Sequence, residues 1–145
     1  MYSAALRLHH IGFATKSIRE SSNLFLKLGY GLQFDLFYGD YRGIEIQFMK
    51  CPGSNLLIEL ISPKIEKMKD VKNTEAIKLT DSLNRMIKSR AGLYHMGYEL
   101  ISDDFYPQDL RLRKISVKAA AIALNNRDVE FYLHIDGSIV EVIFP

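Results

Sequence analysis

Two stretches of this chain occur twice. Leu8-His9-His10-Ile11-Gly12-Phe13 returns as Leu93-Tyr94-His95-Met96-Gly97-Tyr98, and Leu57-Ile58-Glu59-Leu60-Ile61-Ser62-Pro63 returns as Ile139-Val140-Glu141-Val142-Ile143-Phe144-Pro145. His10 and His95 are 85 residues apart and Glu59 and Glu141 are 82 apart, the near-constant offset left by an internal duplication with a small loop deletion. A chain built this way is expected to fold as two similar halves, each opening on a histidine and closing on a glutamate. With 145 residues, 48% of them hydrophobic, there is apolar material for one core and too little length for two full domains. The expectation is one domain, 1–145, assembled from two half-size modules.

Local patterns supply the elements of each module. Leu8 to Ala14 is apolar, with Gly12 its one breaker, and it runs into Ser17-Ile18-Arg19-Glu20, a capping box that starts a helix. Leu24, Phe25 and Leu28 give that helix an apolar stripe, and Gly29 offers a left-handed stop. Gly31 to Tyr38, Gly43 to Lys50 and Asn55 to Ser62 alternate as strands, separated by turn residues at Gly39-Asp40 and Cys51-Pro52-Gly53-Ser54. Module one, about 6–63, therefore reads βαβββ. Module two, about 92–145, reads the same way, with a strand over Leu93 to Ile101 and a short helix around Gln108 to Lys114 that has Pro107 in its first turn. Its remaining strands fall near Val117 to Leu124, Val129 to Ile135 and Ser138 to Phe144. Between the modules, Ile77, Leu79, Leu83, Met86 and Ile87, with Asp81 and Arg85 spaced for an i,i+4 pair, predict a linker helix over about 74–90. The fold class is α+β.

Composition excludes several functions. The single cysteine, Cys51, rules out an intramolecular disulfide, and Met1 to Leu8 lacks the apolar run of a signal peptide, which points to the cytoplasm. The apolar runs are too short to span a membrane, and a net charge of +2 gives no ground for nucleic-acid binding. Lys64 to Arg90 carries a local excess of lysine and arginine, which reads either as a solvated connector or as a surface for phosphate groups.

Strand parity locates the chemistry. Leu8, His10 and Gly12 share one face, while Ile11 and Phe13 share the other, which the helix must cover. His95 and Gly97 stand in the same relation in the repeat. Glu59 and Glu141 lie in otherwise apolar strands, where an ionised carboxylate is costly unless it is paired or holds a cation. His10, Glu59, His95 and Glu141 therefore form a candidate site for one divalent ion; cobalt, nickel, zinc, manganese and magnesium are not distinguished by these ligand types. Glu141 and Glu59 are also candidate catalytic bases. His9 falls on the opposite face and reads as a surface or edge histidine. On the third strand Tyr41, Gly43, Glu45 and Gln47 share a face, and late in module two Glu130, Tyr132 and His134 do, with Phe131, Leu133 and Ile135 opposite. If these polar faces line the cavity, Glu45 is a further acid/base candidate and Tyr41, Gln47 and Tyr132 are candidate substrate contacts.

These motifs, in this order, resemble the vicinal oxygen chelate superfamily, which includes glyoxalase I, methylmalonyl-CoA epimerase, extradiol dioxygenases and antibiotic-resistance proteins. Leu8 to Ala14 is similar to the family's opening strand, Asn55 to Pro63 to its glutamate-bearing strand, Gly92 to Glu99 to the fifth strand of the epimerase branch, and Asp136-Gly137-Ser138-Ile139-Val140-Glu141 to the closing strand. The resemblance places His10, Glu59, His95 and Glu141 on the four metal positions. Retention of all four implies an isomerase or epimerase rather than a dioxygenase. It further implies a small-molecule substrate, an acyl-CoA in the epimerase branch, and a homodimer. The alternatives are a glyoxalase I-like lactoylglutathione lyase and a non-catalytic resistance-type binding module. One departure is that Tyr41 stands where the epimerases carry a glutamate acid/base, two residues before Gly43-Ile44.

Overall fold

A computed structural model describes residues 5–39, 44–64, 84–85, 87–88 and 92–145. Tyr41 lies outside the described residues. So does the expected linker helix, apart from 84–85 and 87–88, which are helical. The chain divides into two compact units, one of Gly12–Tyr94 and one of Met1–Ile11 with His95–Pro145. The division cuts the opening strand of each expected module, so the units do not coincide with the modules.

The unit Gly12–Tyr94 contains the end of β1 (Leu6–Ala14), then α1 (Ile18–Lys27), β2 (Gly31–Gly39), β3 (Ile44–Lys50) and β4 (Leu57–Pro63). Its strand order is β2-β3-β4-β1. The capping box forms by half. Ser17 Oγ accepts from the Glu20 N–H at 3.2 Å, whereas the Ser17 N–H donates to Thr15 Oγ1, also at 3.2 Å. Gly29, at φ 92°, follows the helix as expected. The buried stripe is different from the one read in the sequence. Ile18 and Ser22 are buried and Phe25 packs edge-on against Phe13 and Tyr30, while Leu24 and Leu28 are 56% and 60% exposed. The inward face thus runs i, i+4, i+7 from Ile18, because Phe25, the bulkiest apolar group on the helix, fixes its rotation over Phe13.

The other unit holds the start of β1, most of β5 (Gly92–Leu100), β6 (Leu112–Lys114), β7 (Ala119–Ala121), β8 (Arg127–His134) and β9 (Ile139–Ile143). Here β1, β5, β9 and β8 are successive neighbours; β5 and β9 run parallel, and β6 and β7 both pair antiparallel with β8. The expected helix at 108–114 is absent. Pro107–Leu110 makes one 3-10 turn, Arg111 ends it in the left-handed region (φ 53°, ψ 36°), and 112–114 continue as strand. Leu110 and Leu112 flank Arg111 with period two, which suits a strand once the turn has stopped. The expected strand 117–124 shortens to β7 followed by a 3-10 turn at Ile122–Leu124. Between β6 and β7, Ser116 Oγ accepts the Phe131 N–H at 2.8 Å, replacing a backbone acceptor where the pairing is interrupted. Module two therefore lacks the helix of βαβββ. Among the described residues, no helix is long and apolar enough to cross a membrane.

Candidate metal centre

Three of the expected ligands meet within the unit Met1–Ile11 with His95–Pro145. His10 comes from β1, His95 from β5 and Glu141 from β9, and all three are buried. The parallel register sets Gly97 beside Glu141, and alternation puts His95 on that same face. His10 Nε2 lies 2.9 Å from His95 Nε2, while Glu141 Oε2 lies 3.2 Å from His95 Nε2 and 3.8 Å from His10 Nε2. Ligands bound to one ion at about 2.1 Å stand roughly 3.0 Å apart at right angles and roughly 3.4 Å apart in a tetrahedron. The donor set and its spacing therefore fit one divalent ion. Burial pushes the His10 imidazole down to about 3, against the opposing pull of the Glu141 carboxylate. The ring is thus neutral near pH 7 and offers a lone pair.

Gly97 makes this approach possible. A Cβ at position 97 would stand 2.1 Å from His10 Cε1 and 2.5 Å from each of its ring nitrogens. The open space that a strand glycine leaves is occupied here by the ligand imidazole itself.

Glu59 is buried on β4 in the other unit. The register of β3 on β4 pairs Phe48 with Glu59, and it pairs Glu45 with Ser62 and Gln47 with Leu60. Glu45 and Gln47 accordingly lie on the face away from Glu59, which overturns the expectation that the polar side of β3 carries the site. Both are buried and engaged elsewhere. Lys64 Nζ is 3.6 Å from Glu45 Oε2, and Gln47 Nε2 donates to the Phe34 and Phe48 carbonyls at 3.1 and 3.0 Å. Phe34 is at φ 65°, within the stretch where the β2–β3 register shifts between Gln33 and Phe37, so Gln47 anchors a bulge.

The same reversal occurs on β8. Phe131, not Tyr132, is the cross-strand partner of Glu141, and its ring meets that of His95 edge-on at 5.6 Å between centroids. Phe131 is an apolar wall of the centre. Tyr132 and Glu130 point to the opposite face, where the phenol donates to Glu130 Oε2 at 2.5 Å and Lys114 Nζ lies 3.4 Å from Glu130 Oε1. Burial, then the hydrogen bond to Glu130, pushes the Tyr132 phenol far above its usual range. Ile135, expected on the core side, is 74% exposed. On both β3 and β8 the cross-strand partner of the glutamate is a phenylalanine.

Two further groups come into play. His9 is part-buried, with Nδ1 2.8 Å from His10 Nδ1, rather than on a free edge. Burial holds its pKa below the ordinary value, and the Glu99 carboxylate opposes that shift. Glu99 accepts from Arg7 Nη2 at 2.7 Å and from Arg127 Nη1 at 2.9 Å, and these bonds hold its carboxyl below the usual range. The His9-His10 doublet was a visible signal for the first; nothing local in the sequence marked Phe131 or Glu99.

Comparison with solved structures gives full-length matches. A hypothetical protein from Bacillus halodurans superposes with a TM-score of 0.72 at 19% identity, covering 98% of this chain and 96% of the other. Methylmalonyl-CoA epimerase from Mycobacterium tuberculosis gives 0.70 at 20% identity, over 100% and 92%. The Streptomyces coelicolor methylmalonyl-CoA epimerase, in complex with 2-nitronate-propionyl-CoA, gives 0.69 at 15% identity, over 97% and 98%.

The fold is that of the vicinal oxygen chelate superfamily. No family model and no curated relative matches the sequence. On this fold, His10, His95 and Glu141 of one unit make a buried His/Glu group able to hold a metal ion. Two imidazoles and a carboxylate are a donor set suited to a divalent ion.

Proposed function

We propose that the protein is a metal-dependent isomerase or epimerase acting next to the carbonyl of a 2-carbonyl or acyl-CoA substrate, with Glu59 completing a site of His10, His95 and Glu141. The observation that carries this reading is the convergence of two imidazole Nε2 atoms and a carboxylate Oε2 in a buried pocket of donors. Support for Glu59 is that it is buried in an otherwise apolar strand and is the counterpart of Glu141 in the repeated sequence. A divalent ion bound there supplies Lewis-acid stabilisation of the enolate formed when the α-proton leaves. Glu59, or Glu141 once released from the ion, would take that proton, and inversion requires a second acid on the opposite face of the carbanion to deliver a proton there. His10 and His95 hold their Nε2 lone pairs toward the centre, and Phe131 excludes water on the β8 side.

The substrate class draws on the neighbours, since the Streptomyces coelicolor epimerase was solved with an acyl-CoA analogue. The test is metal content of the purified protein, followed by α-proton exchange of acyl-CoA esters in deuterium oxide. Stoichiometric metal, lost in His10→Ala and Glu141→Ala, with metal-dependent exchange supports the proposal; failure to bind supplied divalent metal refutes it.

The placement of Glu45 away from Glu59 favours a second reading, a binding module that retains the site without a second acid/base. Tight ligand binding without proton exchange would decide for it. A lactoylglutathione lyase is separated from both by its activity on a glutathione hemithioacetal.

A further inference from the structure

We propose that His9 is a positioning residue for the metal centre: its Nδ1 accepts the Nδ1–H of His10 and thereby fixes the tautomer that leaves His10 Nε2 free to ligate. The inference rests on the metal-site reading above and goes beyond it by assigning a role outside the ligand set. The geometry is specific. His10 Nε2 points at His95 Nε2 and Glu141 Oε2, and when that atom ligates an ion the proton of the neutral ring is carried by Nδ1. His9 Nδ1 is 2.8 Å from that atom, and the two rings meet edge-on with centroids 5.1 Å apart and planes at 88°. An imidazole edge directed at a neighbouring ring nitrogen is a hydrogen-bonding arrangement, not a stacking one. His10 is fully buried, and a ring N–H lacking an acceptor in such a place costs about 1–3 kcal/mol. His9 in turn has to carry its own proton on Nε2. A ligand histidine typically gives its second N–H to a carboxylate, a carbonyl or water, and here another histidine takes that place.

Two substitutions separate positioning from packing. His9→Asn keeps an acceptor, since Oδ1 sits about where Nδ1 was; His9→Leu keeps bulk and removes the acceptor. Nitrogen-15 NMR of the metal-free protein should show His10 protonated on Nδ1 in wild type and in His9→Asn, and shifted toward Nε2 protonation in His9→Leu. Calorimetric titration with zinc or nickel should show roughly 10–100-fold weaker affinity in His9→Leu and near wild-type affinity in His9→Asn. Wild-type His10 protonated on Nε2, or His9→Leu retaining both tautomer and affinity, overturns the inference. If wild type binds neither metal, the functional reading fails, while the NMR arm still decides whether His9 sets the tautomer. Because the wild-type spectrum is itself a test, the outcome does not depend on His9→Leu folding.

Discussion

Gly97→Ala is the sharpest perturbation of the centre that leaves every ligand in place. The added Cβ would lie 2.1 Å from His10 Cε1, where ordinary contact begins at 3.4 Å, so the imidazole has to retreat by about 1.3 Å. The neighbours on that face are buried, and the strand carrying Gly97 is held by its pairing with β9, so the ring rather than the backbone yields. Metal–nitrogen bonds are about 2.0–2.1 Å long, and a displacement of more than half that length removes His10 from the ligand set. The expected loss of metal affinity is at least the roughly 10–100-fold that outer-shell changes alone produce. Overpacking should also cost about 1–3 kcal/mol, or roughly 2–12 °C in Tm for a chain of this size. The assay is calorimetric metal titration beside thermal unfolding of the metal-free protein. Gly31→Ala is the control, because its Cβ would meet nothing within 4 Å. A Gly97→Ala protein with affinity within about threefold of wild type would refute the claim that His10 fills the space over this glycine.

Glu45→Gln should leave metal affinity unchanged in calorimetry, because Glu45 faces Ser62 rather than Glu59's side of β4; a loss above tenfold contradicts the register argument. Ser17→Ala removes the acceptor for the Glu20 N–H and should lower stability by about 1 kcal/mol in denaturant titration without altering metal binding. The Glu99 carboxyl is held below its ordinary pKa by Arg7 and Arg127, so it contributes stability above the unfolded value and loses it as pH falls through the folded one. Arg127→Ala should therefore raise the Glu99 pKa by NMR and weaken the dependence of Tm on pH across the acidic range. Chelation should lower Tm if the native protein alone binds the ion, by an amount equivalent to about 2.7 kcal/mol when free metal had stood at 100 times Kd.

What the sequence determined on its own was periodicity and residue type. The duplicated His-x-Gly and apolar-Glu-apolar strings put His10, His95 and Glu141 on strands, and the Ser17 to Glu20 box started α1 where expected, because both signals are local and the first is repeated. Alternation also separated His10 from Phe13, which lies against Phe25 of the helix. What it left undecided was which face of a strand meets the centre. Glu45, Gln47 and Tyr132 were assigned inward because polar side chains suit a polar site, yet register pairs Phe48 with Glu59 and Phe131 with Glu141. Register is a property of two strands distant in sequence, and a shift of one residue exchanges the faces, so no single-strand pattern contains it. The rotation of α1 about Phe25 was decided the same way, by packing partners that local propensity does not name. His9 followed this rule as well: alternation sent it away from His10, and only the folded strand brought the two Nδ1 atoms within hydrogen-bonding distance.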